Sequence, residues 1–348
     1  PPERAWRRLP STVMDEFLST RRVVTVTRRR RRLRLIAAAA VGALVATVFL
    51  RRQLMAAATL ARPYIRRRAR VSRPALIVNR WSGGGKAERF GLAEAAEAAG
   101  IRVIMLEPGD DITELARDAI AAGADAIGAA GGDGSLGLVA GVAIEHDVPF
   151  FCVPVGTRNH FALDLGLDRD DPLSALDAIR DGDELRVDYG LAGDRPFLNN
   201  VSFGVYAEAV HRPEYRDNKE QTLAKVVLGV GGEDDTRAPL RFETPEGERA
   251  ERTSVTLVSN NPYVWSGPPD HGRRPRLDGG QMGITVAAEG TSADGATARG
   301  IRHWTARRFR IESDEPVRAG LDGEALVFEW PLELWSEPRG RRVVVPSG

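Results

Sequence analysis

A chain of 348 residues with a formal net charge of +1 and 28% charged residues is long enough for two packed cores and is neither fibrous nor disordered in composition. Cys152 is its one cysteine, which excludes an intrachain disulfide and fits a reducing compartment. The histidines at 146, 160, 211, 271 and 303 are scattered without the spacing of zinc ligands.

The near-neutral total hides an asymmetry: residues 1–73 are rich in arginine and poor in carboxylates, and acidic residues gather later, so a polyanionic surface is expected beside the N-terminal segment. Leu35 to Leu50 reads LIAAAAVGALVATVFL, with Arg28 to Arg32 and Arg34 before it and Arg51-Arg52 after it. As a helix it would extend about 24 Å, short of a hydrocarbon core of about 30 Å, although flanking arginines can snorkel. Basic residues on both sides give no orientation, so a span and a surface-lying helix both remain open, as does an alanine-rich helix packed in a soluble domain. The polybasic flanks suit anionic lipid headgroups. The expectation is a membrane-associated helical segment over residues 1–73.

From Pro74 the pattern becomes strand, glycine turn, helix. Ala75–Asn79 is an apolar run ending in Ser82-Gly83-Gly84-Gly85-Lys86, followed by a helical stretch over 87–99 closed by Gly100. The unit repeats as strand 101–106, helix 112–122, strand 124–129, the turn Gly131-Gly132-Asp133-Gly134, helix 135–145 and strand 148–153. Such alternation predicts a parallel sheet with helices on its faces and ligands at the carboxyl ends of its strands.

The turn after the first strand is not a Walker P-loop, because Ala87 stands where Ser or Thr would follow the lysine. A glycine-rich entry to a helix can still hold phosphate on backbone N–H groups. Gly131, Gly132 and Gly134 allow close backbone approach, while Asp133 places a carboxylate where phosphate would be repelled unless a cation or a proton transfer is involved. In the next turn Pro154 fixes the strand end, and Gly156, Thr157 and Asn159 add a flexible backbone and two polar side chains. Taken singly, each is also what an ordinary tight turn looks like.

Beyond Asp188 short alternating runs at 196–201, 239–243, 254–259, 283–287, 309–312, 325–330 and 342–345 predict an antiparallel sandwich or open barrel. Helical interruptions are expected at 297–307 and 214–228. The motif Leu321-Asp322-Gly323-Glu324 enters a late strand, so Asp322 and Glu324 are expected on one side of an extended segment. Paired carboxylates there could take a proton from an attacking hydroxyl and support Mg²⁺. Alone, Asp-Gly is a common turn pair. Asn199-Asn200 and Asn260-Asn261 are weaker candidates for lining a cleft.

Together these motifs resemble the diacylglycerol kinase catalytic family, bacterial lipid kinases related to sphingosine kinases, over about Pro74 to the C-terminus. Gly131, Gly132, Asp133, Gly134 and Ser135 are similar to the family's Gly-Gly-Asp-Gly-Thr turn. Pro154, Gly156, Thr157, Asn159, Phe161 and Ala162 match a second motif, with His160 replacing Asp, and Asp322, Gly323 and Glu324 match the late Asp-Gly-Glu. Two departures stand out: the first turn reads Asn79-Arg80-Trp81-Ser82-Gly83, and Gly137-Leu138 replaces the family's Asn-Glu.

The resemblance implies an α/β nucleotide-binding domain with a parallel sheet over 74–188 and an antiparallel β-sandwich lipid-binding domain over 189–348, whose last strand could return to the first domain. It implies ATP bound by Asn79, Ser82, Gly83, Gly131 to Ser135, Gly156, Thr157 and Asn159. Asp133 would face Mg²⁺, Asp322 would be the general base and Glu324 its support. The expected substrate is a lipid with a free hydroxyl, at the cytoplasmic face of an anionic membrane, with no nucleic-acid partner and a homodimer left open. An NAD or sugar-phosphate kinase and a catalytically silent lipid-binding module are the alternatives. Asp322→Asn is expected to abolish transfer with little change in thermal stability.

Overall fold

The computed structural model describes residues 66–211, 240–245, 247, 249–250, 253–264, 273–291 and 297–347. The apolar stretch 35–50 and the expected helix at 214–228 lie outside these residues. Among those described, no helix is long and apolar enough to cross a membrane.

Four strands form the parallel part of the first sheet: β2 (Pro74–Val78), β3 (Arg102–Met105) at its edge, β4 (Ala126–Gly131) and β5 (Phe150–Pro154). β4 and β5 are buried at every position, as continuous apolar runs between two helical layers require. The helical stretch expected at 87–99 is two short helices, α1 (Lys86–Arg89) and α2 (Leu92–Ala98), because Gly91 between them adopts φ +58°. α3 (Ile112–Ala121) starts at Asp111, whose carboxylate accepts from the Thr113 and Glu114 N–H groups, an N-cap of the kind the sequence allows there. α4 (Asp133–Glu145) follows Gly132, and α5 (His160–Asp164) and α6 (Asp177–Asp181) come after β5.

The sheet is mixed rather than parallel throughout. Its order is β1-β6-β17-β5-β4-β2-β3, where β1 is Arg66–Arg68, β6 is Asp183–Ala192 and β17 is Leu332–Val345. β17 pairs antiparallel with β6 and parallel with β5 through Val343 and Phe150. A strand arriving from the far half of the chain therefore closes the sheet, and sequence alternation alone gave no sign of its direction. β7 (Arg195–Phe197) joins β6, and β14 (Arg308–Ile311) joins β17.

The second sheet is antiparallel, in the order β13-β12-β11-β8-β15-β16. Its strands are β8 (Asn200–Gly204), β11 (Thr253–Asn260), β12 (Met282–Thr291), β13 (Thr297–Ala306), β15 (Val317–Leu321) and β16 (Glu324–Phe328). β9 (Phe242–Glu243) and β10 (Arg249–Ala250) form a short ladder, and α7 (Val205–Val210) follows β8. The helix expected at 297–307 is instead β13, paired with β12 over ten residues. As the edge strand it keeps Arg302, His303 and Thr305 exposed, while Trp304 packs on Phe242 and Phe309. Arg302 shares a face with Trp304, and His303 and Thr305 lie on the other, so no clean apolar alternation marks the strand.

Two cores result. One fills the α/β layers. The other lies between the second sheet and the ends of β6, β14 and β17, joining Phe203, Val258 and Ile284 to Ala192, Ile311 and Leu334.

Candidate active site

Three turns meet at the carboxyl ends of β2, β4 and β5, and glycine is what lets them meet. A Cβ on Gly156 would lie 2.4 Å from the Gly132 Cα, one on Gly131 would lie 2.6 Å from the Ser135 Cβ, and one on Gly83 would lie 2.2 Å from the Val155 carbonyl oxygen. Backbone bonds fix the stack, with the Gly156 N–H donating to the Gly131 carbonyl at 3.1 Å. Asn159, fully buried and at φ +53°, donates from Nδ2 to the same carbonyl at 2.7 Å, and its Oδ1 has no partner. Asn79 donates to the Ser135 hydroxyl at 3.1 Å.

Leu321-Asp322-Gly323-Glu324 differs from its sequence reading in detail. Asp322 (φ +49°) and Gly323 (φ +90°) form the tight turn between β15 and β16, as two-residue hairpins with left-handed central residues do. Asp322 is folded back and buried. Its Oδ1 accepts the N–H groups of Asn199 (2.7 Å) and Asn200 (2.9 Å), and its Oδ2 accepts that of Leu198 (2.7 Å). Burial pushes its pKa up to about 6, opposed by those three N–H donors and reinforced by the charge of Asp133.

A cavity of about 270 Å³ brings the motifs together: Ser82, Gly83, Gly132 to Ser135, Gly156, Thr157, Asp322 and Glu324 all line it. Gly131, Asn159 and Asn79 stand behind the lining and hold the turns. Arg158 and His160 also face the cavity. Burial holds the His160 imidazole below its ordinary pKa, with the Asp133 charge acting against that shift.

Behind Asp133 lies a group that the sequence reading overlooked. Asn199 donates to Asp133 at 3.2 Å, and Arg274 donates to the Asn199 Oδ1 at 2.6 Å. Arg274 is buried, bonds the Asn260 carbonyl at 3.0 Å and pairs with buried Asp164 at 2.7 Å. Asn199 is half of the Asn199-Asn200 pair. Arg274 sits in an Arg-Arg-Pro-Arg run that reads as solvated surface.

The donor set fits nucleotide phosphates. Glycine turns without Cβ obstruction and the N-terminus of α4 offer backbone N–H groups, and Arg158 offers a cation. Among the described residues there is no group of three His, Cys, Asp or Glu side chains poised to hold a metal ion. Mg²⁺ typically uses one or two carboxylates together with substrate phosphates, a requirement that Asp133 with Asp322 or Glu324 can meet.

Residues 73–192 match the family model described as the diacylglycerol kinase catalytic domain. Over this segment the chain is similar to the diacylglycerol kinase catalytic family. A diacylglycerol kinase of Mycobacterium tuberculosis is 31% identical over 132 residues, 37% of this chain and 43% of that protein. A diacylglycerol kinase of Bacillus subtilis is 35% identical over 103 residues, 29% of this chain and 34% of that protein. The chain thus matches less than half the length of either relative. A crystal structure of a diacylglycerol kinase from Bacillus anthracis shares the fold, with a TM-score of 0.56 at 18% identity, covering 80% of this chain and 98% of that one.

Proposed function

We propose that this chain is an ATP- and Mg²⁺-dependent lipid kinase that phosphorylates the hydroxyl of diacylglycerol or a related lipid at the cytoplasmic face of a membrane. The observation that carries the reading is the shared cavity: Asp133 and Asp322, far apart in sequence, both line it together with the three glycine turns. The match of residues 73–192 to the diacylglycerol kinase catalytic domain model supports the reaction class, and the arginine-rich residues 1–73 support an anionic lipid surface as partner.

Backbone N–H groups of the Gly83, Gly132 and Gly156 turns and the start of α4 receive the phosphates. Asp322 accepts the proton of the acceptor hydroxyl; a carboxylate with a pKa near 6 is ionised at neutral pH and close enough to it to act as a base. Glu324 supports it from the opposite end of the hairpin turn. Asp133, held by Asn199, serves the nucleotide side, where bound Mg²⁺ would neutralise phosphate charge.

The test is incubation of purified protein with labelled ATP, Mg²⁺ and a panel of lipid alcohols in mixed micelles. Label in a lipid product is the expected result. Label in NAD or a sugar phosphate, or lipid binding with no transfer at all, would overturn the reading.

A further inference from the structure

A second cavity, of about 420 Å³, lies on the other side of the Asp322 turn and shares Gly134, Asp322 and Glu324 with the first. Away from that shared wall its lining turns apolar, with Leu138 on α4, Leu191 and Pro196 on β6 and β7, Leu321 and Leu326 on the β15–β16 hairpin, and Tyr189. Leu138 is 40% exposed, one of few large apolar side chains so open among the described residues. Gly137 and Gly141 on the same face of α4 leave the groove its room: a Cβ on Gly141 would lie 3.3 Å from Pro196, and one on Gly137 would lie 3.1 Å from the Asp322 Oδ2. The outer rim is polar, where Arg117 and Glu145 pair at 3.2 Å.

A groove with carboxylates at one end and hydrocarbon along its length is the complement of an alcohol attached to an alkyl chain. The geometry points to this cavity as the acceptor site, with the lipid's hydroxyl at Asp322 and its hydrocarbon chain along Leu138, Leu191 and Leu326. The inference rests on the kinase reading above and adds to it the place and polarity of the acceptor. The phosphates and the acceptor chain then approach Asp322 from opposite sides, so that neither has to pass the other. The residue pair Gly137-Leu138, which stands where the family motif has Asn-Glu, supplies the room and the apolar wall.

Leu138→Glu in the full chain tests this, since an exposed position on a helix surface tolerates a charge without loss of fold. Diacylglycerols of six, eight and ten carbons per chain serve as acceptors. For the unaltered protein KM falls by about fourfold with each methylene that enters the groove. For L138E the acceptor KM rises at least tenfold and its dependence on chain length flattens, while KM for ATP stays the same. An unchanged acceptor KM and chain-length slope would overturn the assignment. Binding of labelled dioctanoylglycerol without ATP separates the two ideas. If no lipid is phosphorylated, the kinase reading fails, and weaker binding by L138E still supports the groove whereas unchanged binding removes it.

Discussion

In the proposed reaction Asp322 has two roles whose pH dependences oppose each other. As a base it must be ionised, so the transfer rate is expected to fall as pH drops through about 6, measurable as kcat/KM against pH. Its folded-state pKa is raised above the ordinary value, so its contribution to stability is fully present below about 4 and is lost as pH rises through about 6; denaturant titrations across that window would register it. Asp322→Asn is expected to abolish transfer and, contrary to the sequence reading, to lower stability by about 1–3 kcal/mol, because the amide would turn an N–H donor toward backbone N–H groups that now bond a carboxylate. An equilibrium urea melt beside the activity assay checks both. The motif was legible as chemistry, since Asp-Gly-Glu announces carboxylates; its burial was not, because the donors come from residues 198–200, remote in sequence. Asn199→Ala is expected to lower turnover and raise the Mg²⁺ requirement, as Asp133 loses the donor that Arg274 keeps in place.

Helix α4 illustrates what an element can and cannot declare. Its existence, its start at the Gly-Asp-Gly turn and its place after β4 were readable from glycine spacing and apolar content, as were most strands and helices between residues 74 and 154. What stayed hidden was the purpose of its own glycines. Gly134 and Gly137 face the β15–β16 turn, and a Cβ on Gly134 would lie 2.3 Å from the Glu324 Oε1. That oxygen ends a flexible side chain, so Gly134→Ala is expected to swing the Glu324 carboxylate aside and slow transfer, while thermal stability holds or rises by up to about 1 kcal/mol from helix propensity. A thermal melt paired with steady-state kinetics distinguishes this from a folding defect. In the β half, β13 went unrecognised because polar and apolar residues mix on both of its faces, with Arg302 beside Trp304 on one, and local pattern alone could not tell it from an amphipathic helix.

At the level of the whole molecule, residues 64–348 form one compact unit, and its edge begins before the first apolar strand. Arg66–Arg68 pairs with Asp183–Leu185, and the N–H groups of Ser72 and Arg73 each donate to Asp125 at 2.8 Å. Removing residues 1–63 is therefore expected to leave a cooperative fold with weaker binding to anionic vesicles, measured by sedimentation, whereas removal of residues 1–73 also strips the β1 ladder and these bonds and lowers the melting temperature. The long strand β17 sits between β6 and β5 and contributes to both cores. During synthesis the ribosome releases β5 and β6 well before their common neighbour, so the growing polypeptide must carry a gap in its central sheet until residues 332–345 emerge. Arrested nascent chains ending short of residue 332 should remain protease-sensitive across the α/β half, a burden that falls to chaperones rather than to the finished protein.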